Sequence, residues 1–410
     1  MRVSEPRVTT AVLPNGLRMV HLLVPGAAAG YYGVAVRAGS RDEDDSCRGL
    51  AHFVEHTIFK GTARRSSWHI INRMEAVGGE LNAYTTKEET VVYSVFPGGN
   101  ASRAAELIAD LVQNSRFPDR ELDKEREVVA DEIDSYLDSP SEAVYDDFED
   151  LIFAGSSLGH NILGDRAALA RFDSEACRDW LARYYVPGNM VMFYAGGHSA
   201  ERVFELTRRY FGGMEPRDVV RHTATPAVVA PFERLHHIDS HQCHTLVGAR
   251  TGGIDSDDRF ARALFTNILG GPGMNSLLNV ALRERRGLVY SVEASTGLFT
   301  DCGELVVYYG CDPDDNGRCR RLVRETIESV AGGAVTPRRL EMAKKQYLGQ
   351  LTVASENVDN RILGMARQML YRGHVTSRAD SIARVNALTA DDVSAFAASL
   401  LPLSSLTLGN

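Results

Sequence analysis

Residues 49–62 read "GLAHFVEHTIFKGT". Within them His52 and His56 stand four apart, so in a helix the two imidazoles share one face, a turn apart. Glu55 follows His52 by three and lies on nearly the same face. The flanking Leu50, Phe53, Val54, Ile58 and Phe59 predict a largely buried helix from Leu50 through Phe59. Two buried imidazoles and a buried carboxylate need partners, because desolvation without them is costly. Zinc meets that need: it takes neutral imidazole nitrogens, and a catalytic zinc has three protein ligands and keeps one position for water. A carboxylate placed like Glu55 can reach that water without being a ligand and act as general base during attack on a carbonyl. The competing reading is a helix that carries two histidines by chance, and the apolar surround weighs against it.

A third ligand must come from elsewhere. The predicted helix after Pro118, "DRELDKEREVVADEIDSYLDS", is dense in carboxylates and ends before Pro140. Glu125 and Glu132 are seven apart in it, two turns along one face. Spacing alone does not choose between them, and a merely solvated acidic face is the alternative.

Around this centre the pattern alternates between strands and helices. "TTAVLPNGLRMVHLLV" has a Pro-Asn-Gly turn between two alternating runs and predicts a hairpin; "YYGVAVRAG" predicts a further strand. "SSWHIINRMEAVGG" predicts a helix with a serine cap and a Gly-Gly stop, and "ELNAYTTKEETVVYSVF" a strand pair. The stretch 214–231, with three prolines, reads as a linker.

The second half repeats the first. "VAVRAGSRDEDD" (34–45) matches "VGARTGGIDSDD" (247–258) at an offset of 213, and Leu122 meets Leu340 at an offset of 218. The expectation is an internal duplication: an α+β chain of two homologous domains, each a mostly antiparallel sheet packed by helices. The boundaries drawn are 1–215, a linker at 216–232, and 233–410. At these offsets His52, His56 and Glu132 fall on Phe265, Leu269 and Gln350, so the second copy lacks every candidate ligand.

Composition narrows the classes. The chain has 410 residues and a net charge of −9, which argues against a nucleic-acid or anionic-membrane binder, since that would need a basic face. No apolar run is long enough for a membrane span, and the N-terminus lacks the apolar core of a secretory signal. Six scattered cysteines without a CxxC point to free thiols and a reducing, cytoplasmic setting. "HHIDSHQCH" (236–244) gathers four histidines and a cysteine, and is read as adventitious because zinc ligands normally converge from more than one element.

With these residues in hand the chain resembles the pitrilysin/insulinase family of metallopeptidases, particularly its short two-domain members, the processing-peptidase subunits and similar bacterial enzymes. "HFVEH" matches the family's inverted zinc motif HxxEH. The resemblance implies one zinc ion per chain, with a glutamate 76 residues after the second histidine as third ligand; here that residue is Glu132. Glu125 then takes the place of the family's second helix glutamate. "GGELNAYTTKEETVVY" resembles the substrate-binding edge strand, so Asn82, Ala83 and Tyr84 would flank the scissile bond. "LRERRGLVYSV" resembles the Arg/Tyr motif, assigning Arg283 and Tyr290 to the peptide or the oxyanion. Implied further are unfolded peptide substrates, a closed chamber, and a homodimer in which Arg283 and Tyr290 complete the partner's site. A heterodimer with a related subunit and a non-catalytic assembly subunit are the family's other known arrangements.

Overall fold

The computed structural model describes residues 7–221 and 224–410. Along the first half run β1 (Val8–Val12), β2 (Arg18–Leu23), β3 (Ala29–Val36), α1 (Leu50–Thr57), α2 (Ser67–Glu75), β4 (Glu80–Thr85), β5 (Thr90–Pro97), α3 (Ala101–Asn114), α4 (Asp119–Leu137), α5 (Pro140–Ile152), α6 (Arg166–Leu169), α7 (Ser174–Tyr184), β6 (Met190–Gly196) and α8 (Ala200–Phe211). The second half has β7 (Glu233–His237), β8 (Cys243–Gly252), α9 (Arg259–Gly270), β9 (Val289–Leu298), β10 (Cys302–Cys311), α10 (Pro313–Ala331), α11 (Pro337–Ala354), α12 (Val358–Arg372), α13 (Arg378–Ala387), α14 (Ala390–Ser399) and β11 (Ser404–Gly409).

The two sheets show the duplication element by element. The first has the order β1-β2-β6-β3-β5-β4, the second β7-β11-β8-β10-β9. Each contains one parallel pair, β2 with β6 and β7 with β11, and all other pairings are antiparallel. The strands follow the repeat offset, with β3 answering β8, β5 answering β10, and β4 answering β9. The Pro-Asn-Gly hairpin joins β1 to β2, closed by the Leu17 carbonyl accepting from the Leu13 N–H at 2.9 Å. Ser66 starts α2 as expected, but its hydroxyl meets His69 Nδ1 at 2.8 Å and caps no backbone amide.

Two compact units emerge, and neither is continuous in sequence. The first comprises residues 1–134, 160–223 and 355–375, and the second 135–159, 224–354 and 376–410. In the first, one face of the sheet packs on α1, α3, α7 and α8, with Tyr32, Val34, Phe53, Val54, Ile108 and Leu122 in its core. The other face is covered by α12, whose Ile362, Ala366, Met369 and Leu370 meet Val20, Ala35, Val191 and Phe193. In the second unit, α9, α10 and α14 cover one sheet face, and α5 covers the other through Val144, Phe148 and Ile152 on Leu246, Val306 and Leu406. α5 and α12 occupy equivalent places in the repeat, so each copy supplies the helix that closes the other copy's sheet.

No described helix is long and apolar enough to cross a membrane. All six cysteines are free thiols, five of them buried.

Candidate metal centre

The centre is assembled from residues of α1, α4 and the edge strand β4 that belong to the first unit. α1 is only two turns long. It buries Leu50, Ala51, His52, Phe53 and Val54, with Phe53 packed against Phe172 at 5.6 Å between ring centroids. Its first residue follows Gly49, which has φ +93°, a left-handed conformation suited to glycine. A Cβ at Gly49 would stand 2.6 Å from the Leu163 carbonyl oxygen. Gly49 has no side chain to cap the helix. The carboxylate of Glu43 does so: its Oε2 accepts from the Gly49 N–H at 2.8 Å and its Oε1 from the Ala51 N–H at 2.7 Å. Burial pushes the Glu43 carboxyl up to about 8, against the pull of these two amides.

The helix period brings His52 and His56 together, with ring centroids 4.5 Å apart. α4 buries Leu122, Glu125, Val129 and Ile133 and sends Glu132 to the rim of that face. Glu132 Oε2 lies 3.9 Å from His52 Nε2 and 3.4 Å from His56 Nε2. One ligand atom from each of the three residues falls within 4.8 Å of the others; among the described residues no other histidine, cysteine or carboxylate group converges this way. Zinc held at about 2.0–2.1 Å by tetrahedral ligands sets those ligands roughly 3.3 Å apart, close to the separations seen here. Two imidazoles and a carboxylate are a donor set that zinc accepts.

His56 has a second partner. Its Nδ1 is 3.3 Å from Glu125 Oε2, and the other Glu125 oxygen pairs with Lys60. A carboxylate paired with a lysine only accepts, so Nδ1 donates to it, and Nε2 is left facing Glu132 and His52. Such an outer hydrogen bond orients a metal-binding imidazole and raises its basicity. His52 is buried; burial, then the neighbouring His56, lowers its pKa to about 3, which keeps it neutral and ligand-ready. Its Nδ1 is buried without a hydrogen-bond partner among the described residues. Burial raises the Glu55 carboxyl, against the pull of His56 and the nearby Thr85 hydroxyl, a direction that suits a group taking up a proton.

Asn82, Ala83 and Tyr84 all lie on β4, paired inward with Tyr93, Val92 and Val91 of β5. β4 is the last strand of its sheet and packs against α1. Its outer edge leaves main-chain groups available to an added strand.

The remaining candidates lie in the second unit. Arg283 is on a short π-helical segment, Asn279–Glu284, and Tyr290 is on β9, 85% exposed. The positions equivalent to the ligands have become structural there: Phe265 and Leu269 are fully buried core, and Gln350 accepts from Asn267 at 2.7 Å. The histidine-rich stretch 236–244 does not converge on a point. His236 and His237 are exposed on β7, His236 meets Asp147 at 3.6 Å, and His244 Nδ1 meets the Tyr308 hydroxyl at 2.8 Å.

Sequence reasoning passed over Glu43 and Lys60. Lys60 lies just beyond the end of α1, and no motif marks its pairing with Glu125. Glu43 sits in an acidic turn, and nothing in its spacing distinguishes it from Asp42, Asp44 or Asp45.

Comparison with known proteins places the chain in a family. Residues 19–166 match the family described as insulinase, peptidase family M16, and residues 171–347 match the peptidase M16 inactive domain. A Mycobacterium tuberculosis protein named as an uncharacterized zinc protease is 34% identical over 400 residues, covering 97% of this chain and 91% of that one. A Bacillus subtilis protein named likewise is 29% identical, covering 94% of each chain. A protease from Helicobacter pylori has the same fold, with a TM-score of 0.90 at 20% identity over 99% of this chain and 100% of that one. The chain therefore belongs to the insulinase family of peptidases, M16.

Proposed function

We propose that this protein is a zinc-dependent endopeptidase acting on unfolded peptides, with one zinc ion per chain held by His52, His56 and Glu132. The observation that carries the reading is the convergence of those three residues beside Glu55, next to an open sheet edge. Bound zinc would supply a Lewis acid for the scissile carbonyl and lower the pKa of a coordinated water. The chain's own residues do the rest. β4 takes the peptide as an added strand, with Asn82, Ala83 and Tyr84 fixing its register through main-chain hydrogen bonds, so sequence selectivity is loose. Glu55 removes the proton from the attacking water and passes it to the leaving amine. Glu125 orients the His56 ring through Nδ1. Arg283 and Tyr290 act on the peptide backbone or the developing oxyanion, and in this reading they serve the site of a second subunit in a homodimer that closes a chamber around the substrate.

The test is hydrolysis of a mixed panel of unstructured peptides by the purified protein, beside Glu55→Gln and a chelator-treated sample. Cleavage that disappears in both controls is expected. A folded, zinc-loaded protein that cuts nothing would refute self-sufficient catalysis and turn attention to a second, related subunit.

A further inference from the structure

We propose that Glu43 is a positioning residue for the metal centre: its carboxylate, tied through the 40–42 turn to the β4–β5 turn, sets where α1 presents His52, Glu55 and His56 relative to β4. The inference rests on the zinc-peptidase reading and adds a residue outside the metal-binding and substrate-strand motifs.

A two-turn helix with a glycine at its N-cap has free amides and little rigidity of its own. Glu43 engages two of those amides, one through each of its carboxyl oxygens. Glu43 is itself immobilised, being 5% exposed and directly following a tight turn at Ser40–Asp42. That turn is fastened to the segment joining β4 and β5. The Arg41 N–H donates to the Lys87 carbonyl at 2.7 Å and the Ser40 N–H to the Thr86 carbonyl at 3.3 Å. The Arg41 guanidinium pairs with Glu88 at 2.7 Å, with both side chains buried. Gly39 permits the approach, since a Cβ there would fall 2.2 Å from the Thr86 carbonyl oxygen.

A polar strut thus runs from the α1 amides through Glu43 and Arg41 to Glu88, at the end of the strand that would bind the peptide. His52 is the third residue of α1, so a small shift of the helix start moves it directly. Zinc ligation tolerates deviations of only about 0.2 Å. A peptide added to β4 and a zinc held by α1 would then share one frame, which is what alignment of a carbonyl with a water demands.

The experiment measures zinc affinity by competition with a chromophoric chelator, for the full chain and for Glu43→Gln, Glu88→Gln and a control, Glu106→Gln. The control removes the partner of Arg65 and Arg73 on α3, away from α1. Glu43→Gln is expected to weaken zinc binding about tenfold, and Glu88→Gln to weaken it less, while the control loses thermal stability only. On a cleaved peptide, Glu43→Gln should lower kcat with KM kept. Zinc affinities of Glu43→Gln and Glu88→Gln equal to wild type, with melting lowered as in the control, would overturn the strut. Should Glu43→Gln fail to fold, Glu88→Gln decides. A wild-type protein that binds zinc yet cuts no peptide would refute self-sufficient catalysis and leave the affinity comparison standing as the test.

Discussion

Replacing Glu43 by glutamine should produce a stability difference that depends on pH in a definite direction. Burial raises the Glu43 carboxyl from 4.5 to about 8 in the folded chain. A carboxyl raised on folding binds its proton more tightly in the native state than in the unfolded one. Its contribution is fully present below about 4.5 and is lost as pH rises towards 8. At about 1.4 kcal/mol per pKa unit, the whole window is on the order of 5 kcal/mol. Glutamine has the same shape and does not titrate, but it presents an NH2 to one of the two amides, a fixed cost of about 1–3 kcal/mol. The variant should therefore be the less stable protein near pH 5. The gap should shrink with rising pH and close or reverse near pH 8. Denaturant unfolding of the metal-free pair across that range reads the difference from the midpoints. A gap constant with pH would show that burial does not govern this carboxyl. A gap that widens with pH would show that the two amides hold it ionised, and would refute the reasoning outright.

Three further outcomes are expected. Glu132→Ala should weaken zinc binding by more than about 100-fold, beyond what loss of an outer hydrogen bond does, as read by chelator competition; retained affinity would exclude Glu132 as a ligand. Gly49→Ala places a Cβ 2.6 Å from a carbonyl oxygen at φ +93°, and should cost about 2 kcal/mol or more in denaturant unfolding. Mixing inactive Glu55→Gln with inactive Arg283→Ala should restore peptide cleavage, since a mixed dimer would hold one intact site; no recovery despite subunit exchange would sink the shared site.

What could be read without coordinates followed local periodicity. The step of four between His52 and His56 is a helical property, and the alternation in "YYGVAVRAG" is a strand property, so α1 and β3 were accessible from short windows. The repeat at offset 213 exposed the duplication, and the equivalence of β3 with β8 and of β4 with β9 follows it. Proximity across long separations was not accessible in this way. Nothing in the 75 residues between His56 and Glu132 states that they meet, and Glu132 was singled out over Glu125 by resemblance. The carboxylate of Glu43 was invisible for another reason: its importance lies in backbone amides, which every residue carries and no side-chain pattern marks.

The reciprocal placement of α5 and α12 bears on how the chain is made. On a ribosome the first sheet can form once β6 has emerged, but the face bearing Val20, Ala35, Val191 and Phe193 stays open until residues 358–372 appear. That is more than a third of the polypeptide later, and the closing contacts to β2 span over 300 residues in sequence, as Arg18 shows by donating to the Met369 carbonyl at 2.9 Å. Such long-range closure is slow, and it leaves an apolar surface open to wrong partners meanwhile. A fragment ending at the linker would keep the metal ligands and lose the cover of its own sheet. Nascent chains stalled there should be prime clients for chaperones, and the two halves, though descended from one ancestor, can no longer be parted cleanly by cutting between them.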